Sequence, residues 1–313
     1  MPDDTTRRRF LAVAGSTTAL ALAGCAGGDE GRDGGGTESV DDGMTETDST
    51  DGGMTETDTM DDGDGMTETD DGMMSGPTTV TVRIENVAPA DFYGSDTPTG
   101  GAIWVTPGAF AVHTGENPIF TEGEEASVGL EALAEAGPPT GFPNEPGLVD
   151  ELQGMAGSMD VDSAGAYTPE NTVADPNDPM GEVPGTPPIA PGGAFEFDVE
   201  AEPGQRLSFA SMFVPSNDLF FAPGAEGITL WPEDGEPVEG DVTDSLGLWD
   251  AGTEPNGQPG RDPDQAPAQD SPDQGADEGG VVRPIDSVMD GYDYPAASDA
   301  IRVTLTPGGS MDG

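Results

Sequence analysis

No lysine occurs among the 313 residues, and nine arginines are the only strong cations. Histidine and cysteine occur once each, as His113 and Cys25. Each shortage excludes a class of chemistry. A lone cysteine forms no disulfide within the chain. One His and one Cys cannot supply the two imidazoles and the thiolate of a blue-copper centre. They cannot build a structural zinc site of Cys and His either. Nine cations against 62 acidic residues leave a net charge of −53. Nothing would neutralise a phosphate backbone, so nucleic acid is excluded as a partner. An anionic membrane surface would repel the chain as well.

What is abundant is carboxylate, and it sits within patterned segments, with 33% of residues apolar. This composition suits concentrated salt, where charges are screened within a few ångströms and a carboxylated surface stays hydrated. It resembles that of haloarchaeal proteins. In dilute buffer, self-repulsion is expected to unfold the chain.

Residues 1–25 read as a targeting segment. Thr6-Arg7-Arg8-Arg9-Phe10-Leu11 resembles a twin-arginine export signal, with Arg7 and Arg8 as its core. A short run of small residues follows, too short and Gly/Ala/Thr-rich for a good membrane span. It ends in Leu22-Ala23-Gly24-Cys25, which resembles a lipobox. The expectation is export, lipidation of Cys25 and anchoring on the outer face of the membrane. Residues 26–77 hold 17 acidic residues against one arginine, Arg32. Met-Thr-Glu-Thr-Asp recurs at Met44, Met54 and Met66, spacings too short and irregular for a solenoid. Such a segment cannot bury enough apolar area to fold and reads as a disordered acidic tether.

Patterned sequence begins near Thr78. Thr79–Val87 alternates apolar and polar residues, the mark of a half-buried strand. Residues 102–105 and 110–113 are further strands, broken at Pro107-Gly108. Glu124–Ala136 reads as a helix with Ser127 as its N-cap and Gly137-Pro138 as its end. Residues 138–192 read as a long loop with one short helix at Leu148–Met155. Alternation returns at 194–199 and 206–214, two runs flanking Glu202-Pro203-Gly204 and read as a hairpin. Residues 251–280 look like a second low-complexity insertion, and Ile301–Leu305 is a closing strand. The pattern indicates a mainly β, antiparallel β-sandwich over 78–307, with one or two short helices and long loops. Residues 308–313 form a tail.

Two acidic turns stand out, Pro215-Ser216-Asn217-Asp218-Leu219-Phe220 and Leu248-Trp249-Asp250-Ala251-Gly252-Thr253-Glu254. Oxygen-rich turns held on a rigid sheet suit a hard cation, calcium or magnesium, and not zinc. His113, beside apolar residues on a strand, reads as structural, and no Gly-x-Ser-x-Gly elbow accompanies it. Trp104, Trp231 and Trp249, with Tyr93, Tyr292 and Tyr294, read as core or loop anchors, the alternative being a sugar platform.

The order of motifs resembles the spondin domain, the N-terminal module of F-spondin and mindlin. The likeness runs through Phe110–His113, Glu124–Gly137, Ser211–Phe220 and Trp249–Glu254. It implies a C2-like sandwich with calcium bound by loops at one end. Carried over by position, Asp218 and Asp250 are the expected ligands, with Asn217 and Glu254 as further candidates. The chain departs from the animal members in having Leu219 where they often have Trp, in having no disulfides, and in insertions at 138–192 and 255–280. The implied role is a non-catalytic binding or adhesion module at the cell surface, with an unidentified surface protein or glycan as partner. The alternatives are an extracellular metal-dependent hydrolase and a glycan- or solute-binding lipoprotein.

Overall fold

The structure, a computed structural model, describes residues 76–158, 160–173 and 188–308. The expected export signal with Arg7 and Arg8, the lipidation site Cys25, the tail from 309 and nearly all of the tether lie outside the described residues.

Alternation in the sequence becomes two facing antiparallel sheets. Strands β1 (Thr78–Asn86), β2 (Val105–His113), β3 (Val161–Tyr167), β4 (Thr172–Val173), β5 (Ala194–Ala201) and β6 (Arg206–Phe213) come first. They are followed by β7 (Leu219–Pro223), β8 (Ile228–Thr229), β9 (Gly240–Asp241), β10 (Leu246–Asp250), β11 (Arg283–Pro284) and β12 (Ile301–Pro307). One sheet has the order β4-β5-β1-β12-β9, and the other β11-β10-β7-β6-β2-β3 with β8 beside β6. On β1, Val80, Val82 and Ile84 point into the sandwich with Phe195, Phe197 and Val199 of β5. Facing them from the second sheet are Leu207, Phe209 and Phe213 of β6 and Leu219 and Phe221 of β7. Tyr167 stacks on Phe197 across the interior, with ring centroids 5.0 Å apart. Each fully buried aromatic or aliphatic side chain contributes about 1.5–3 kcal/mol. On the opposite face of the first sheet, the scarce arginines serve as cross-strand partners. Arg83 lies opposite Glu196 (3.2 Å), and Arg302 opposite Glu85 (3.2 Å).

The second sheet is covered on both faces. Helices α1 (Val128–Ala136) and α2 (Leu148–Met155) lie over its outer side. There Leu130, Leu133, Leu148 and Leu152 pack on Ala109, Ala210, Phe220 and Trp249. In keeping with this cover on both faces, every residue of β6 after Arg206 is buried, Ser208 and Ser211 included. Ser127 caps α1 as expected, its Oγ accepting from the Leu130 amide (3.2 Å). Gly137 ends the helix at φ 89°, its amide donating to the Leu133 carbonyl. A third, four-residue helix, α3 (Ala297–Ala300), leads into β12.

Four expectations are corrected. Residues 194–199 and 206–214 form no hairpin: β5 pairs with β1 and β6 with β2 and β7, so the Glu202–Gly204 turn crosses between sheets. Both runs bury one face in the same interior, which they achieve from opposite sheets. The strands at 102–105 and 110–113 are one strand, and Pro107-Gly108 produces a bulge between Val105 and Gly108 instead of a break. The helix begins at Val128 and not Glu124, because the Glu124 carbonyl is engaged by the Val282 amide (2.9 Å). The stretch 138–192 includes β3 and β4 as well as α2.

Candidate metal centre

The ladder between β7 and β10 brings the two acidic turns together. Asp250 lies opposite Leu219, and the Ala251 amide donates to the Asp218 carbonyl (3.2 Å). Asp218 immediately precedes β7 and Asp250 ends β10, so their side chains meet at one end of the sheet. Glu278, from the segment leading into β11, joins them. One carboxylate oxygen from each of Asp218, Asp250 and Glu278 lies within 4.8 Å of the other two.

The local sequence builds this from backbone amides. Ser216 Oγ accepts from the Leu219 amide (3.1 Å), fixing the turn that presents Asp218. Asp218 Oδ2 accepts from the amides of Thr253 (2.8 Å) and Glu254 (3.1 Å). Gly252, at φ 70°, allows the loop to fold back. A Cβ there would meet the Val281 backbone at 2.5 Å, so only glycine fits. Asp250 is engaged at both oxygens. Its Oδ1 accepts from Gly252 N (2.7 Å), and its Oδ2 from Asn256 Nδ2 (2.7 Å) and Arg283 Nη2 (3.0 Å). Arg283 stands opposite Asp250 in the β10–β11 ladder and also bonds Glu278 Oε1 (3.0 Å).

Asp218 Oδ1 is different: it is buried and has no hydrogen-bond partner. A buried acceptor left unsatisfied costs about 1–3 kcal/mol, more when charged. Burial, followed by repulsion from Asp250, pushes the Asp218 carboxyl up, against the pull of the two amides. Burial raises Asp250 as well, and Arg283 opposes it. An all-oxygen cluster with one orphaned carboxylate oxygen fits a hard divalent cation, which would complete six to eight ligands with carbonyls and water.

The other two candidates flank this cluster, the Glu254 amide donating to Asp218 Oδ2 and Asn217 immediately preceding Asp218. Asn217 is held by the 255–280 segment, its Oδ1 accepting from Gly257 N (3.2 Å) and Gln265 Nε2 (3.3 Å). Glu254 is not among the three carboxylates that meet at Asp218. Glu278, Arg283 and Asn256 were not legible as site residues. Two of them come from a stretch that reads as featureless insertion, and Arg283 was signalled only by the rarity of arginine.

His113 is fully buried, with Nε2 2.9 Å from Ser208 Oγ and Nδ1 3.1 Å from the Gly115 carbonyl. Trp231 and Trp249 are also buried, their indole N–H groups donating to Gly235 and Ala222 carbonyls. The chain matches no protein-family model and no curated protein sequence.

Proposed function

We propose that this chain is a lipid-anchored, cell-surface, spondin-like module, carried on an acidic tether, that binds a divalent cation at the loop end of its sandwich. The cation of this reading is calcium. Asp218 would hold it, with Asp250 and Glu278 alongside. Bound calcium supplies positive charge that ties together the turn before β7, the loop after β10 and the segment before β11. Those loops, made rigid, are the surface offered to a protein or glycan partner.

The observation that carries this reading is the buried Asp218 carboxylate, with its Oδ1 partnerless, clustered with two further carboxylates. The twin-arginine and lipobox motifs support the export and anchoring parts of it. No helix among the described residues is long and apolar enough to cross a membrane. Binding is favoured over turnover because His113 is enclosed with both ring nitrogens engaged.

Metal analysis of protein purified in molar salt tests the reading. Calcium is expected in the wild type and reduced in Asp218→Asn. Equal calcium in both would remove Asp218 from the site.

A second reading, glycan or solute binding, is favoured by one feature. A groove of about 560 Å³ is lined by Trp249, Tyr292 and Tyr294 beside Pro295. Saturable binding of a sugar, lost in Tyr292→Ala, would support it.

A further inference from the structure

A second group of carboxylates gathers at the C-terminal turn of α1. One oxygen from each of Glu131, Glu135 and Asp273 lies within 4.8 Å of the other two. Glu135 is 3% exposed, and its Oε2 is buried without a hydrogen-bond partner. Every local interaction of a helix opposes an anion in this place. Glu131 and Glu135 are a like-charge pair one turn apart, which weakens a helix. Glu135 sits in the last turn, where the helix dipole presents its negative end and where α1 has no basic residue. The neighbouring Glu254 adds further repulsion, and burial together with that repulsion pushes the Glu135 carboxyl up to about 9. Glu254 itself is 4% exposed, and burial raises it to about 8. A divalent cation relieves all of these repulsions together, because it is attracted by the carboxylates and by the helix C-terminus alike.

We propose that Glu131, Glu135 and Asp273, with Glu254 alongside, form a second divalent-cation position of the calcium class, distinct from the one at Asp218. This deepens the cation-binding reading above, yet each position can stand without the other. The loop Asp250–Glu254 touches both: the Thr253 amide and hydroxyl donate to Asp218 Oδ2, and the Glu254 charge acts on Glu135. Occupying either position would order the same loop. The two cations would thus bind with positive coupling.

Calcium stoichiometry of the full chain, measured by equilibrium dialysis at fixed molar sodium chloride, tests this. The wild type is expected to bind two calcium ions, and Glu135→Gln and Asp273→Asn one each. Asp273 is exposed at φ 58°, a conformation that asparagine adopts readily, so this variant keeps the fold. Asp218→Asn separates the two positions. A single wild-type ion, lost in Glu135→Gln but retained in Asp218→Asn, would sustain this position and overturn the Asp218 site. A single ion lost only in Asp218→Asn would overturn the position proposed here. So would two ions retained in both Glu135→Gln and Asp273→Asn.

Discussion

His113 shows how one side chain can bear on stability without touching a ligand. Burial, the largest influence, lowers its pKa below the usual 6.5, and the nearby Arg206 charge acts in the same direction. The Gly115 carbonyl, second in size after burial, opposes them. The unfolded chain therefore takes up the proton first as pH falls. The stability contributed by the neutral ring is fully present above about pH 6.5 and is lost as pH falls through the lower folded value. Glu135 and Glu254 act in the opposite sense, since their raised values favour the folded state as they protonate. The difference between wild type and His113→Gln isolates the ring. Thermal melts from pH 7.5 down to about pH 5 should show the wild type losing stability relative to the variant. Parallel curves would mean that the ring does not titrate differently on folding. At this same scale the sequence was informative about Asp218 and Asp250, whose turns carry the polar and glycine residues that such turns need. It was silent on Glu135, because a glutamate in an amphipathic helix reads as solvent-facing unless tertiary packing is known.

Among the elements, α1 matters most to the proposed cation sites. Its N-terminus is closed twice, by its own Ser127 and by Glu151 of α2. Glu151 accepts from the Ser127 hydroxyl (2.5 Å) and from the Gly129 amide (2.9 Å). Ser127→Ala removes the cap and the link between the helices, and should destabilise by about 1–2 kcal/mol in denaturant titration. A change within a few tenths of a kcal/mol would mean that Glu151 suffices. The strands β1, β5, β6 and β12 were legible because apolar residues alternate in them with period two. β3 was not, because Val161-Asp162-Ser163-Ala164-Gly165-Ala166-Tyr167 offers small side chains that carry no such signal. It is an edge strand whose role is to seat Tyr167 in the core, where the hydroxyl donates to the Ala210 carbonyl (3.2 Å). The supposed hairpin failed for a related reason. Period two reveals which face is buried, but not which sheet supplies the partner. The 255–280 segment has no periodicity at all, yet Gln265 is 1% exposed and bonds Asn217 and the Gln258 carbonyl. Its order comes from side-chain and backbone hydrogen bonds that only the folded chain assembles.

At the scale of the whole molecule, the dominant feature is the net charge of −53. The five arginines among the described residues are each paired with carboxylates: Arg83, Arg206, Arg261, Arg283 and Arg302. The remaining acidic surface is expected to depend on screening by salt. Against that background the proposed cation would be stabilising in two ways. It would neutralise local repulsion at the loop end and, if bound by the folded state alone, raise stability by mass action. The central claim, a cation held at Asp218, is tested most directly by thermal melts at fixed molar salt with and without calcium, in wild type and Asp218→Asn. The wild-type midpoint should rise with calcium by several degrees, on the order of 1–3 kcal/mol near saturation. Asp218→Asn should respond clearly less. The same rise in both proteins, or no rise in the wild type, would contradict it.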